Sequence, residues 1–166
     1  MKKVLLILLA VNLMSCAQKT EFDTVALNET FTNTKGNQIA FKDILAKHKG
    51  KTIFIDVWAS WCHDCVGSLP KLKELQTKEK DLVYVMLSVD KTIADWKKGI
   101  AKHELKANHY FITKGWKGKN ASEFCKSINL DWIPRYMIVG KDGKIKMFKA
   151  IKFSDKNIEK IIKEDR

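Results

Sequence analysis

The chain has 166 residues, 45% of them hydrophobic and 30% charged, with a formal net charge of +12 at pH 7. That is the length of one domain, with enough apolar content for a real core. The positive balance does not mark a nucleic-acid binder: the lysines are scattered, Arg135 and Arg166 are the only arginines, and the pattern reads as a solvated lysine-rich surface.

The N-terminus differs in composition from the rest. Lys2 and Lys3 precede an apolar run from Val4 to Val11 that is too short to cross a bilayer as a permanent helix, which is the layout of a secretory signal over residues 1–15. The run ends in Leu13-Met14-Ser15-Cys16, which resembles a bacterial lipobox. That resemblance implies that Cys16 becomes the acylated first residue of the mature chain; an ordinary export signal with a chance cysteine is the plainer alternative. Loss of Lys2 and Lys3, with no acidic residue beside them, lowers the formal charge from +12 to +10. Export removes the chain from nucleic acid and permits disulfides. A lipid anchor adds attraction to anionic headgroups. Residues 16–27 are expected to form a polar tether and residues 28–166 the folded domain.

A short strand is expected around Glu29–Asn33, followed by a turn at "TKGNQ" and a short helix at "FKDILAKHKG" closed by Gly50. The run "TIFIDVW" (52–58) is continuously apolar and rich in β-formers, as in a strand buried on both faces, and its one charged residue is Asp56. From Cys62 to about Lys80 the apolar spacing becomes helical, through Val66, Leu69, Leu72 and Leu75. A second buried strand follows at 82–89, then an amphipathic helix at 92–105 with Ile93, Trp96 and Ile100 on one face. "HYFIT" is a short strand and "ASEFCKSI" a short helix. Residues 135–148 form a hairpin turning near Asp142-Gly143. The tail is a capped helix with Ile158, Ile161 and Ile162 inward. This order predicts an α/β sandwich whose terminal hairpin runs antiparallel to the other strands.

The C-x-x-C at Cys62 and Cys65 can be a metal clip, a structural staple or a redox pair. A staple gains little from so short a loop. Structural zinc wants four ligands, and His48, His103, His109 and Cys125 lack ligand spacing. The motif sits where a buried strand meets a helix, whose free N–H groups and partial positive charge stabilise a thiolate. Cys65, one turn deeper, is spaced to resolve a mixed disulfide. The chain's two prolines also stand out: Pro70 falls inside the predicted helix, and Pro134 directly precedes a strand, a position suited to a cis bond. Cys125 reads as a small core residue rather than a second redox centre. Trp58 reads as core and Trp132 as flanking the site.

Taken together, "DVWASWCHDC", Pro70 and Ile133-Pro134 resemble the thioredoxin fold, and most closely the exported, membrane-tethered TlpA/ResA-type thiol-disulfide oxidoreductases, over roughly residues 28–166. The resemblance implies a central mixed sheet flanked by helices, with an N-terminal strand or hairpin extension. It implies that Cys62 attacks, Cys65 resolves and buried Asp56 assists proton transfer at Cys65, while Trp61, Trp132, Ile133 and Pro134 meet the substrate. It implies no cofactor and no metal. Its partners would be disulfide-containing envelope proteins, apocytochrome c among them, and a membrane thiol-disulfide electron donor. Two positions depart from the family: Asp64 replaces the usual proline before the second cysteine, and Arg135 replaces the threonine common after the cis-proline. Asp64 disfavours the Cys62 thiolate and a protonated His63 favours it; Arg135 is expected to stabilise the thiolate or select acidic partner surface. The direction expected is reduction of protein disulfides. The alternatives are a non-catalytic thioredoxin-fold binding lipoprotein, and a copper-handling module with His63 as third ligand.

Overall fold

The computed structural model describes residues 18–166, so the signal over 1–15 and the acylation site Cys16 lie outside the described residues. In chain order the elements are α1 (Thr24–Asn28), β1 (Thr30–Asn33), β2 (Gln38–Ala40), α2 (Phe41–Ala46), β3 (Ile53–Trp58), α3 (His63–Lys78), β4 (Val83–Ser88), α4 (Ile93–Lys102), β5 (Asn108–Phe111), α5 (Glu123–Ser127), β6 (Arg135–Val139), β7 (Ile145–Ala150) and α6 (Lys156–Glu164). The strands make one seven-stranded sheet in the order β2-β1-β5-β4-β3-β6-β7. The expected α/β architecture, with its mixed sheet and N-terminal hairpin, is the one observed.

β3 sits inside the sheet because its sequence can be buried on both faces: all six residues are buried. It pairs parallel with β4, which pairs parallel with β5, while β6 returns antiparallel along its other edge. The β6–β7 hairpin turns at Gly143, whose φ of 78° suits glycine. Phe54, Asp56 and Trp58 share one face, where Phe54 meets Phe153 ahead of α6 and Trp58 lies against Gly99 of α4. On the opposite face Phe22, Phe31, Phe41 and Phe124 form an aromatic cluster with ring centroids 4.9 to 6.2 Å apart.

That cluster shortens the expected tether. Phe22 and Ala26 are buried, α1 packs on α2 and α5, and Thr20 O accepts the Ile145 N–H, so these residues belong to the domain. A second difference concerns α4. Trp96 is fully buried as expected, but Ile93 is 41% exposed because it occupies the first helical position, just after the Thr92 cap whose hydroxyl accepts the Asp95 N–H. In α6, Ile158 and Ile162 are buried and Ile161 only partly so. Among the described residues no helix is long and apolar enough to cross a membrane.

Candidate active site

The sheet carries the chain out of β3 at Trp58 and into α3 at His63, and the residues between make the site. Asp90, buried just beyond β4, holds this turn: its Oδ1 accepts from Ser60 N–H (2.9 Å) and Ser60 Oγ (2.7 Å), and its Oδ2 from Ser88 Oγ (2.8 Å). Cys62 then caps α3, with its Sγ accepting the Cys65 N–H at 3.1 Å. The Cys62 sulfur therefore already sits on a donor that would stabilise its thiolate, at the positive end of a sixteen-residue helix. Cys62 and Cys65 are joined as a disulfide with Cα atoms 5.2 Å apart. The Cys62 sulfur lies 3.7 Å from the carbonyl oxygen of Ile133, and the Ile133–Pro134 bond is cis. The cis-proline loop thus lies against the Cys62 sulfur.

Behind the disulfide lies a second layer. Asp56 and Tyr136 are register partners across β3 and β6, so their side chains share the face covered by α3. The Tyr136 hydroxyl donates to Ser68 Oγ (2.8 Å), which donates to Cys65 O (2.7 Å), linking strand to helix one turn beyond Cys65. Pro70, inside α3, leaves the Val66 carbonyl without its intrahelical donor. The Asp56 Oδ1 is buried without a hydrogen-bond partner, and desolvation pushes its carboxyl up to about 8. Near neutral pH this group is therefore largely protonated.

In front of the disulfide is a groove of about 330 Å³ lined by Trp61, Cys62, His63, Asp64, Trp116, Lys117, Trp132 and Ile133. Trp61 and Trp132 are half exposed, at 51% and 54%, and Trp61 faces Trp116 with ring centroids 6.5 Å apart. Cys62 opens onto this groove and Cys65 does not. His63 is fully exposed on the rim, with its Nδ1 3.6 Å from Asp64 Oδ1.

Arg135 is not in this groove. It is fully buried, and its guanidinium donates to Ile128 O (2.9 Å), Asn129 O (3.2 Å) and Asp131 Oδ1 (2.5 Å). Register explains this: Arg135 pairs with Val57, on the sheet face opposite Asp56, so it turns toward α5. The expectation that it selects acidic partner surface is corrected; its visible work is to brace the loop that carries Trp132 and Pro134. Cys125 is buried, and burial pushes its thiol up to about 12, away from thiolate chemistry. Trp58 is core, as expected. Among the described residues no group of three or more His, Cys, Asp and Glu side chains is placed to hold a metal ion.

Sequence reading missed Asp90, Trp116, Ser68 and Tyr136. Asp90 ends a buried strand in "LSVD", and an acid in that position is a detectable signal. Trp116 lies in "TKGWKGKN", a segment without periodicity, and nothing local ties it to the site.

Comparison with known proteins agrees with this geometry. Residues 50–145 match the family described as Thioredoxin-like. The thiol-disulfide oxidoreductase ResA of Bacillus thuringiensis subsp. konkukian is 30% identical over 130 residues, which cover 77% of this chain and 69% of that protein. A solution structure from Bacteroides vulgatus superposes with a TM-score of 0.66 at 32% identity, over 82% of this chain and 84% of that one. The crystal structure of the thioredoxin domain of a thiol-disulfide oxidoreductase from the same organism gives a TM-score of 0.65 at 25% identity, over 85% and 97%.

Proposed function

This chain belongs to the thioredoxin-like thiol-disulfide oxidoreductases of the ResA type, and we propose that it works as a lipid-anchored reductase of protein disulfides on the extracytoplasmic side of the membrane. The single observation that carries the chemistry is the asymmetry of the pair: both cysteines are largely buried, but Cys62 caps α3 and lines the groove, while Cys65 does not line it. In the reduced protein the Cys62 thiolate attacks a substrate disulfide and expels one substrate thiolate. Cys65, its proton passed to Asp56 in the fraction of molecules where that carboxyl is ionised, attacks the Cys62 sulfur and expels the second. Two electrons have moved, the substrate holds two thiols, and the Cys62–Cys65 disulfide awaits a membrane thiol donor. Asp56, Trp61, Trp132, Ile133 and Pro134 serve this cycle in the roles that their positions suggest; His63 and Asp64 flank the attacking sulfur and set its poise.

The reducing direction rests on Asp64. An acidic side chain in the first turn of α3 opposes the stabilisation of the Cys62 thiolate by the helix N-terminus, and a less stabilised reduced form is a weaker oxidant. The substrates proposed are disulfide-bonded envelope proteins, with apocytochrome c thiols among them. The anchor rests on the Leu13–Cys16 pattern. A glutathione redox titration tests the direction: a potential near −270 mV, about the thioredoxin value, supports a reductase, and one near −120 mV, about that of strong disulfide-forming oxidants, overturns it. Detergent partitioning of Cys16→Ser tests the anchor, which fails if the variant still fractionates with membranes.

A further inference from the structure

The wall of the groove opposite the disulfide comes from the segment between β5 and α5, which the redox cycle does not itself require. Backbone bonds from Ala121 N–H to Gly118 O (3.2 Å) and from Ser122 N–H to Gly115 O (2.7 Å) close this segment on itself. It presents Trp116, half-buried, toward Trp61. Lys117 folds back with its Nζ 4.1 Å from the centre of the Trp116 ring, which braces the indole and leaves the ammonium at the groove mouth. Residues 113–121 also carry Lys114 and Lys119 and no acidic residue. Among the described residues Asp64 is the only acidic side chain lining the groove, and it stands at the α3 side.

An apolar slot walled by three tryptophans, open to the reactive sulfur and rimmed by lysine on one side, selects its ligand by two features. A flat or bulky apolar side chain fills the slot at little entropic cost to the indoles, and a carboxylate meets the lysine rim. We infer that Trp116 and Lys117 form a specificity subsite for the polypeptide flanking the substrate cysteine, selecting an apolar or aromatic residue next to that cysteine and an acidic residue beyond it. This rests on the reading of Cys62 as the attacking thiol. The subsite orients the substrate disulfide along the groove, with its sulfur next to Cys62 and its backbone beside Ile133. Trp116 and Lys117 take no part in bond making.

The test uses four symmetric peptide disulfides, with phenylalanine or alanine next to the cysteine and glutamate or lysine two residues on. Reduced protein is mixed with excess peptide, and the rate constant for forming the Cys62–Cys65 disulfide is followed by protein fluorescence; each turnover converts one dithiol to disulfide and one peptide disulfide to two thiols. Wild type should prefer phenylalanine over alanine by ~5-fold or more, and glutamate over lysine by a margin that shrinks as salt is raised. Trp116→Ala should abolish the first preference and keep the second; Lys117→Glu should reverse the second and keep the first. Because each reading is a ratio between substrates within one variant, a general loss of activity does not mimic it. Equal rates for all four peptides on wild type, or unchanged ratios in both variants, overturn the subsite and leave the redox assignment standing. Failure of wild type to reduce any of the four overturns the redox assignment, and the subsite falls with it.

Discussion

Asp56 and Tyr136 face each other across the β3–β6 ladder, and both side chains lie beneath the helix that carries Cys65. The tyrosine spends its hydroxyl on Ser68, so it gives the carboxyl no hydrogen bond, and Asp56 Oδ1 is left without a partner. Desolvation is the whole cause of the raised Asp56 value, about 8. The unfolded chain releases this proton near pH 4 and the folded one holds it to about pH 8, so the stability this group contributes is complete below pH 4. It is then lost by roughly 1.4 kcal/mol per pH unit as pH rises through that window.

Asp56→Asn removes that loss while keeping the shape. Urea unfolding of the disulfide form should show the variant gaining on wild type between pH 5 and pH 8, with the gain growing as pH rises. Resolution of a mixed disulfide by Cys65 should slow by about 10²-fold, because the amide takes no proton. A pH-independent difference in stability would place the Asp56 carboxyl outside this buried environment.

Arg135 holds the loop before β6 through three acceptors at 128–131, and Asn129 among them has a φ of 46°, which costs an ordinary side chain strain. Arg135→Met leaves buried carbonyls unpaired and should cost roughly 3 kcal/mol. Arg135→Lys should recover little, since an ammonium cannot make the forked contact. Denaturant midpoints of both variants check this; a fully stable lysine variant would contradict it.

Gly99 is required by close approach. A Cβ there would stand 2.5 Å from Ser60 Cβ and 3.3 Å from the Trp58 ring, against the turn that Asp90 fixes. Gly99→Ala gains about 1 kcal/mol in helix propensity, against an overpacking cost of roughly 1–3 kcal/mol, so a lower melting temperature is expected. The alkylation rate of reduced Cys62 should change with it, because Ser60 is two residues away; an unchanged melting temperature and rate would show that α4 yields freely.

What sequence alone conveyed was local. Cys62, Cys65 and Pro134 were readable because a strand-to-helix junction and a proline before a strand each constrain their own neighbourhood. The position of Asp56 was readable because a charge inside a continuous apolar run has no other partner in sequence. Arg135 was misplaced because its side depends on register: it pairs with Val57, not Asp56, and one residue decides the face. Phe22 looked like part of a polar tether because a lone aromatic has no period, and only Phe31, Phe41 and Phe124, brought together by the fold, give it a place. Trp116 was invisible for the same reason.

The central claim is that Cys62 attacks and Cys65 resolves, and trapping with a defined peptide disulfide tests it most directly. Reduced Cys65→Ala should accumulate one peptide in mixed disulfide on Cys62, seen by intact mass and released by dithiothreitol, while wild type should pass through to the Cys62–Cys65 disulfide with both peptide thiols free. Cys62→Ala should form no adduct, since Cys65 is buried away from the groove. A comparable adduct on Cys62→Ala, or none on Cys65→Ala, would contradict the account.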